Sequence, residues 1–321
     1  RFKADLSHKN PALRDFGIAR LNGTPHPRKN TSTQVWPMMD LSVAIDDVEM
    51  KLTHVIRGKD HEMNMEKQKM IHQALGMESP VYFHLGRTRF DGITLSKTEL
   101  SEGIANGTYA GWDDPRVPSL VSYRKRGYHA QAFRSMVLAN GMSKRDSRIS
   151  EEEFLKSLNY YNRQILETEA NRAFFIHDPK TFHITNAKDL PIDEVTIAKH
   201  PDEKQRGMRH FPITQTLHID GYDHEALEPG DLVRLMYLGN FTVDEKTEEG
   251  LTVSYHSSDY DKKLPLKRNI HYLAGEQEPC RVILADANVL NGFCEPLGNL
   301  KAHTPLQFER FGFVKFDREE D

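Results

Sequence analysis

The sequence predicts a multi-domain chain that is α/β at its start, all-α in its middle and all-β over its second half. Three observations carry this. Between about residues 51 and 90, a strand-like run, a helical pattern and a second strand-like run follow one another, which is the order of a parallel βαβ unit. From Glu99 to about Ala173 apolar residues recur at helical spacing. Beyond Asp178-Pro179 the texture becomes short alternating runs broken by turns, the pattern of a sandwich or of barrels.

The elements follow in order. Residues 1–34 are polar and rich in Pro, Asn, Arg and Lys, and support no assignment. Val35-Trp-Pro-Met-Met39 leads into Leu41-Ser-Val-Ala-Ile45, an apolar run predicted to be a buried strand. A second strand is predicted over Lys51–Ile56, stopped by the polar turn Arg57-Gly-Lys-Asp-His61. Met63, Lys67, Met70, Ile71, Ala74 and Leu75 then lie near helical spacing, with Gly76 as the stop. Residues 81–90 resume as a strand. Helices are predicted over Ser119–Arg126 and Ala130–Leu138, with a turn at Gly127-Tyr128 and a close at Gly141, and again over Glu151–Leu158 and Arg163–Phe174. The strand-like runs of the second half are Thr181–Thr185, Gln215–Ile219, Leu232–Met236, Leu251–Tyr255, Arg281–Leu284 and Phe311–Phe316.

Composition narrows the class. The chain has 321 residues, room for two or three domains, and no apolar run approaches the roughly 20 residues of a membrane helix. Cys280 and Cys294 are the only cysteines, so neither a disulfide framework nor a four-cysteine zinc site is available, and the 16 histidines are scattered. A metal-poor cytoplasmic protein is expected. Residue 1 is Arg, without an initiator Met or a signal-like stretch, so the chain is expected to begin inside a longer polypeptide. Net charge is −4, yet Arg116–Arg148 holds eight Lys/Arg against the single acid Asp146. Residues 1–30 hold seven Lys/Arg against Asp5 and Asp15, and the tail from Asp317 to Asp321 is acidic. Basic segments in an acidic chain suit a polyanion bound on one face; a merely solvated basic helix suits them equally.

Two loops stand out. Gly92-Ile-Thr-Leu-Ser-Lys-Thr-Glu-Leu100 carries Lys97 between hydroxyl groups, a mobile ammonium able to reach a phosphate. Alone, the signal is weak, and such a loop reads more readily as a solvated surface. Arg57–His61 closes a predicted parallel strand, and ligands of such sheets sit at the carboxyl ends of strands. The two loops are therefore expected to share one pocket.

Several strings extend this reading: Val35-Trp-Pro-Met-Met-Asp-Leu-Ser-Val-Ala-Ile-Asp-Asp47, Leu52-Thr-His-Val-Ile-Arg-Gly-Lys-Asp-His61 with Glu66-Lys-Gln68, and Leu95-Ser-Lys97. Further on stand Gly111-Trp-Asp-Asp-Pro-Arg116, Asn171-Arg-Ala-Phe-Phe175 and Gln307-Phe-Glu-Arg-Phe-Gly-Phe313. Through them the chain resembles, over nearly its whole length, the archaeal/eukaryotic-type glutamyl-tRNA synthetases, a class I branch that includes the glutaminyl enzymes. The resemblance implies the C-terminal half of a Rossmann-type catalytic domain over 1–97, with the end of an acceptor-binding insertion. It implies a helical stem-contact domain over 98–175 and two anticodon-binding β-barrels over 176–321.

It also implies roles. The family activates L-glutamate with ATP, using Mg2+, and transfers it to tRNA(Glu); tRNA(Gln) is a further candidate substrate, no structural zinc is expected, and the protein is expected to be a monomer. Lys97 resembles the lysine of the family's mobile phosphate-steadying loop, supported by Ser96, although only the central Ser-Lys matches. Arg57 stands where an arginine pairs with the substrate's side-chain carboxylate, as a guanidinium can with two parallel donors; an ordinary strand-end ion pair is the alternative. Met39 departs from the tyrosine of many relatives and cannot donate a hydrogen bond: either another group takes over there, or the position packs apolar against the substrate stem. Asp60 and His61 are expected to line the pocket, with helix capping by Asp60 as the alternative. Asp113, Asp114 and Arg116 lie in a string tied to the tRNA corner, with Arg124, Lys125 and Arg126 as phosphate contacts and the carboxylates as caps or ribose acceptors. Arg209 and Arg234 match arginines of glutaminyl relatives. Two rivals stand: a glutaminyl enzyme, disfavoured by Arg57, and a non-catalytic tRNA-binding protein. The family's His-Ile-Gly-His motif is absent from residues 1–321, so this piece alone is expected to be inactive.

Overall fold

A computed structural model of the chain describes residues 1–26, 28 and 34–317. Lys29 of the basic N-terminal stretch and the acidic tail after Asp317 lie outside the described residues. The chain divides into two compact units, Arg1–Gly92 with Leu138–Phe154, and Ile93–Val137 with Leu155–Asp321.

In the first unit the run expected as a strand at 41–45 is a helix, α1 (Met39–Glu49). Five apolar residues fit either element, and their flanks decide. Asp40 and Asp47 join Ala44 on one buried stripe, and Asp40 sits in the first turn, where the helix dipole favours an acid. The predicted βαβ unit follows, shifted by a few residues. Strand His54–Gly58 pairs in parallel with Val81–Leu85, and α2 (Glu62–Leu75) connects them. Gly76 ends α2 in the left-handed region at φ 67°, a conformation that costs glycine nothing. Helices α1 and α2 meet over Phe16, Ala44 and Ile71, and buried His72 of α2 bonds the Ala44 carbonyl at 2.8 Å.

The third strand pattern splits at Gly86. Thr88–Asp91 pairs in parallel with Ser147–Ser150, a strand the sequence reading did not anticipate. A Cβ on Gly86 would lie 2.0 Å from the Arg145 carbonyl oxygen, so only glycine lets the returning segment approach.

In the second unit lie α3 (Lys97–Ala105), α4 (Leu120–Lys125) and α5 (Ala130–Asn140), the last crossing into the first unit. The two helices expected over 151–174 are one continuous element, α6 (Glu151–Glu169). It ends before Asn171–Ala173, which is a strand rather than the helix expected there, paired in parallel with Pro305–Phe308. A helical pattern cannot report a partner that lies more than a hundred residues away.

All six predicted runs of the second half fall in strands. A six-stranded mixed sheet has the order 216–219, 180–184, 250–257, 239–246, 232–235, 266–270. Its core gathers Phe182, Leu217, Phe241, Val253 and Tyr272, and the short α7 (Gly221–Glu225) follows its first-ordered strand. Two three-stranded sheets, one containing Phe175–His177 and the other Asn171–Ala173, close over Ala173, Phe175, Val282, Cys294 and Phe308.

Candidate functional site

In the first unit Arg57 occupies the fourth position of the strand His54–Gly58 and is half-buried. Its Nη2 donates to Gln68 Oε1 at 2.9 Å, and its guanidinium carbon lies 5.1 Å above the Tyr82 ring. Gln68 comes from α2, Tyr82 from the neighbouring strand, and Asp47 from α1 faces the same charge. Burial pushes the Asp47 carboxyl up, and Arg57 and then His72 pull it back. Burial also raises the Tyr82 hydroxyl, and it lowers His84, with Arg57 acting in the same direction on that imidazole. Arg57 Nε, Gln68 Nε2, Tyr82 OH, His84 Nε2 and Asp47 Oδ2 are buried with no hydrogen-bond partner among the described residues. Groups of this kind are rare in folded proteins.

Met39 opens α1 with its side chain partly exposed. Asp60 and His61 form the short 3-10 turn Lys59–His61 after Arg57. No side chain caps α2, so the capping alternative for Asp60 has no hydrogen bond behind it. Lys59 and Asp146 form an ion pair at 2.8 Å.

In the second unit Lys97 is not in the loop itself but is the first residue of α3, exposed to solvent. Ser96 caps the helix, its hydroxyl accepting from the Glu99 amide at 3.4 Å. A cation at a helix N-terminus opposes the dipole, and the pair becomes favourable when an anion joins them.

The Trp112 string is a folded loop. Asp114 is buried and accepts from Arg116 Nε at 2.9 Å, Arg116 Nη2 at 2.7 Å and the Ala110 amide at 2.9 Å. These bonds, led by Arg116, hold its carboxyl far below the usual range. Asp113 pairs with Lys125 at 2.9 Å, which lowers its carboxyl too. The Arg126 guanidinium packs against both the Tyr123 and Tyr128 rings, 5.3 and 5.4 Å from their centres. Arg124 and Lys125 point outward from α4.

The two arginines of the β portion are engaged within the protein. Buried Arg209 pairs with Glu295 at 2.9 Å and with Glu309, and stacks on Phe174 at 4.7 Å. It also borders a cavity of about 380 Å³ lined by Arg172, Met208 and Glu295. Arg234 donates to Asn240 at 2.9 Å and to the Ser258 carbonyl at 3.2 Å, bracing the loop that carries Tyr260.

The structure thus brings Arg57 together with Asp47, Gln68 and Tyr82. Arg57 and Lys97 belong to different units. In the sequence alone Gln68 and Asp47 stand out only as members of strings. The signal for them lay in α1: once 39–49 is helical, Asp47 shares a face with Ala44, toward α2.

Residues 1–168 match the family described as tRNA synthetases class I (E and Q), catalytic domain, and residues 170–261 match its anti-codon binding domain. The chain belongs to the class I (E and Q) tRNA synthetases. Among similar proteins, the glutamate–tRNA ligase of Thermococcus kodakarensis is 35% identical over 99% of this chain and 55% of its own length. That of Methanococcus maripaludis is 37% identical over all of this chain and 56% of its own length. The chain therefore spans about half the length of the curated relatives it matches. A solved glutamate tRNA ligase from Elizabethkingia meningosepticum covers 42% of this chain and 31% of its own at 24% identity and a TM-score of 0.29, too low to bear on any residue.

Proposed function

We propose that this chain is the part of a glutamate–tRNA ligase that supplies the amino-acid-side arginine, the lysine loop and the tRNA-binding surfaces. In the first step the α-carboxylate oxygen of L-glutamate attacks the α-phosphorus of ATP, the bond to pyrophosphate breaks, and glutamyl-adenylate forms. In the second, a terminal ribose hydroxyl of tRNA(Glu) attacks the activated carbonyl and AMP leaves. Both steps ask for positioning and charge neutralisation rather than a protein nucleophile.

The observation that carries this reading is Arg57, a half-buried guanidinium at a parallel-strand end that is held by a neutral amide. It keeps its charge and offers donors to a side-chain carboxylate, which glutamine lacks. Asp60, His61 and Met39 are assigned to the surroundings of the amino acid. Lys97 at the N-terminus of α3, with Ser96 shaping that terminus, is assigned to the ATP phosphates, which suit both an ammonium and free helix amides. Magnesium would enter with ATP. Among the described residues no group of three or more His, Cys, Asp or Glu is placed to hold a metal ion, and no step is routed through one here.

On the RNA side, Arg124, Lys125 and Arg126 are assigned to phosphates, and Asp113, Asp114 and Arg116 to a rigid loop at the tRNA corner. Arg209 and Arg234 are assigned to shaping the anticodon-binding part. The functional segments are 1–97, 98–175 and 176–321, the last forming two barrels in this reading. Among the described residues no helix is long and apolar enough to cross a membrane, and we place the protein in the cytoplasm as a monomer.

Charging of purified tRNA(Glu) and tRNA(Gln) by the protein at its native full length, with labelled glutamate and labelled glutamine in parallel, tests this. Glutamate on tRNA(Glu) is the expected product, and incorporation of glutamine overturns the reading.

A further inference from the structure

Arg57 is a flexible side chain whose usefulness to a carboxylate depends on where its fork points. One side chain fixes it by a hydrogen bond: Gln68, fully buried on α2, accepts from Nη2 at 2.9 Å. The Tyr82 ring supports the guanidinium from one face. The identity of residue 68 matters electrostatically. An amide oxygen takes one proton of the fork and leaves the positive charge uncancelled, whereas a carboxylate there would form an internal bidentate pair. Asp47 is a carboxylate that feels Arg57, yet its buried Oδ2 has no hydrogen-bond partner. Gln68 Nε2 and Arg57 Nε are likewise buried with no hydrogen-bond partner among the described residues, so the Arg57–Gln68 bond is a single contact between Nη2 and Oε1.

Resting on the reading of Arg57 as the arginine for the substrate carboxylate, we propose that Gln68 is its positioning residue, and that preference for an acidic over a neutral amino-acid side chain runs through this amide. Gln68 does not touch the amino acid in this account. It holds one Nη2 proton, so that the remaining Nη edge is presented in a fixed direction with its charge intact.

The test uses the native full-length protein in ATP–pyrophosphate exchange, with Gln68→Leu, Gln68→Glu, Arg57→Ala and the double variant Arg57→Ala/Gln68→Leu. Losing a hydrogen bond to a charged group should raise the KM for glutamate by about tenfold or more, while the KM for ATP stays within about twofold. Gln68→Glu, nearly isosteric with the native side chain, should do the same by occupying the fork, and thermal melts of each variant confirm that it is folded before its KM values are compared. On the Arg57→Ala background, Gln68→Leu should add nothing, because a positioning residue acts only through what it positions. Equal effects on both substrates, an unchanged glutamate KM, or additive effects in the double variant would each overturn the role of Gln68. If Arg57→Ala is selective for glutamate and Gln68→Leu is not, only this inference falls. If Arg57→Ala shifts both substrates alike, the assignment of Arg57 falls and takes this inference with it.

Discussion

At the scale of single residues, charge is spent in two different ways. Arg57 is held by a neutral amide and keeps unpaired donors, while Arg116 is consumed by Asp114 two residues before it. Asp114 accepts four neighbouring donors in a buried position, so its folded pKa is depressed relative to the unfolded chain. A depressed carboxylate stabilises the fold above its unfolded pKa, and that contribution is lost as the pH falls through the range below 3.8 toward the folded value. Asp114→Asn is expected to cost about 1–3 kcal/mol at neutral pH. The gap to the parent should narrow as the medium is acidified below the ordinary aspartate range, read by urea unfolding at several pH values. A pH-independent gap would mean that shape rather than charge holds the loop. The Trp112 string marked this loop in the sequence. That Asp114 turns inward while Asp113 reaches Lys125 was not legible there, because neighbouring aspartates are equivalent until packing separates them.

At the scale of elements, the junction between the β sheets rests on one buried cation. Arg209 stands on the strand Met208–Pro212 and reaches Glu295 and Glu309 across sequence separations of 86 and 100 residues. Glu295 also accepts from the Phe174 amide at 2.6 Å. Removing the arginine takes the shared cation from two buried carboxylates, leaving Glu295 its Phe174 amide and Glu309 the Tyr237 hydroxyl and more distant Arg172; breaking a buried pair typically costs about 3–5 kcal/mol. Arg209→Ala is therefore expected to lower the thermal midpoint sharply, whereas Arg234→Ala, which loses bonds to an amide and to loop carbonyls, should lower it less. The ordering is checked by calorimetry of the two variants side by side; the reverse ordering would remove Arg209 from this bracing role. The strand residues themselves were readable from alternation. Their partners were not, since pairing such as Asn171–Ala173 with Pro305–Phe308 is a long-range event that leaves no local period.

At the scale of the whole molecule, net charge is −4 while the segment around α4 is basic. Binding to a polyanion has to be local. On the proposed function, the 321-residue chain is expected to bind tRNA(Glu) through this basic segment. Affinity should fall steeply with salt, and replacing Arg124 or Lys125 with Ala should each reduce the log–log slope by about 1 if that residue contacts a phosphate. Filter binding from low to moderate salt reads both quantities. Slopes unchanged by either substitution would contradict these assignments.

By itself the sequence determined the succession α/β, then helical, then β, because hydrophobic period and Gly stops are local properties. It also determined the family, because strings such as Thr53-His-Val-Ile-Arg57 and Trp112-Asp-Asp-Pro-Arg116 are contiguous. Only the tertiary structure decided that residues 39–49 are a helix whose buried stripe carries Asp40 and Asp47. It alone separated Arg57, fixed on Gln68, from Arg209, buried between two glutamates. The physical reason is common to all three. Whether a charged side chain is free, held or neutralised depends on burial and on partners brought from distant segments, and neither is written in the residue's own neighbourhood.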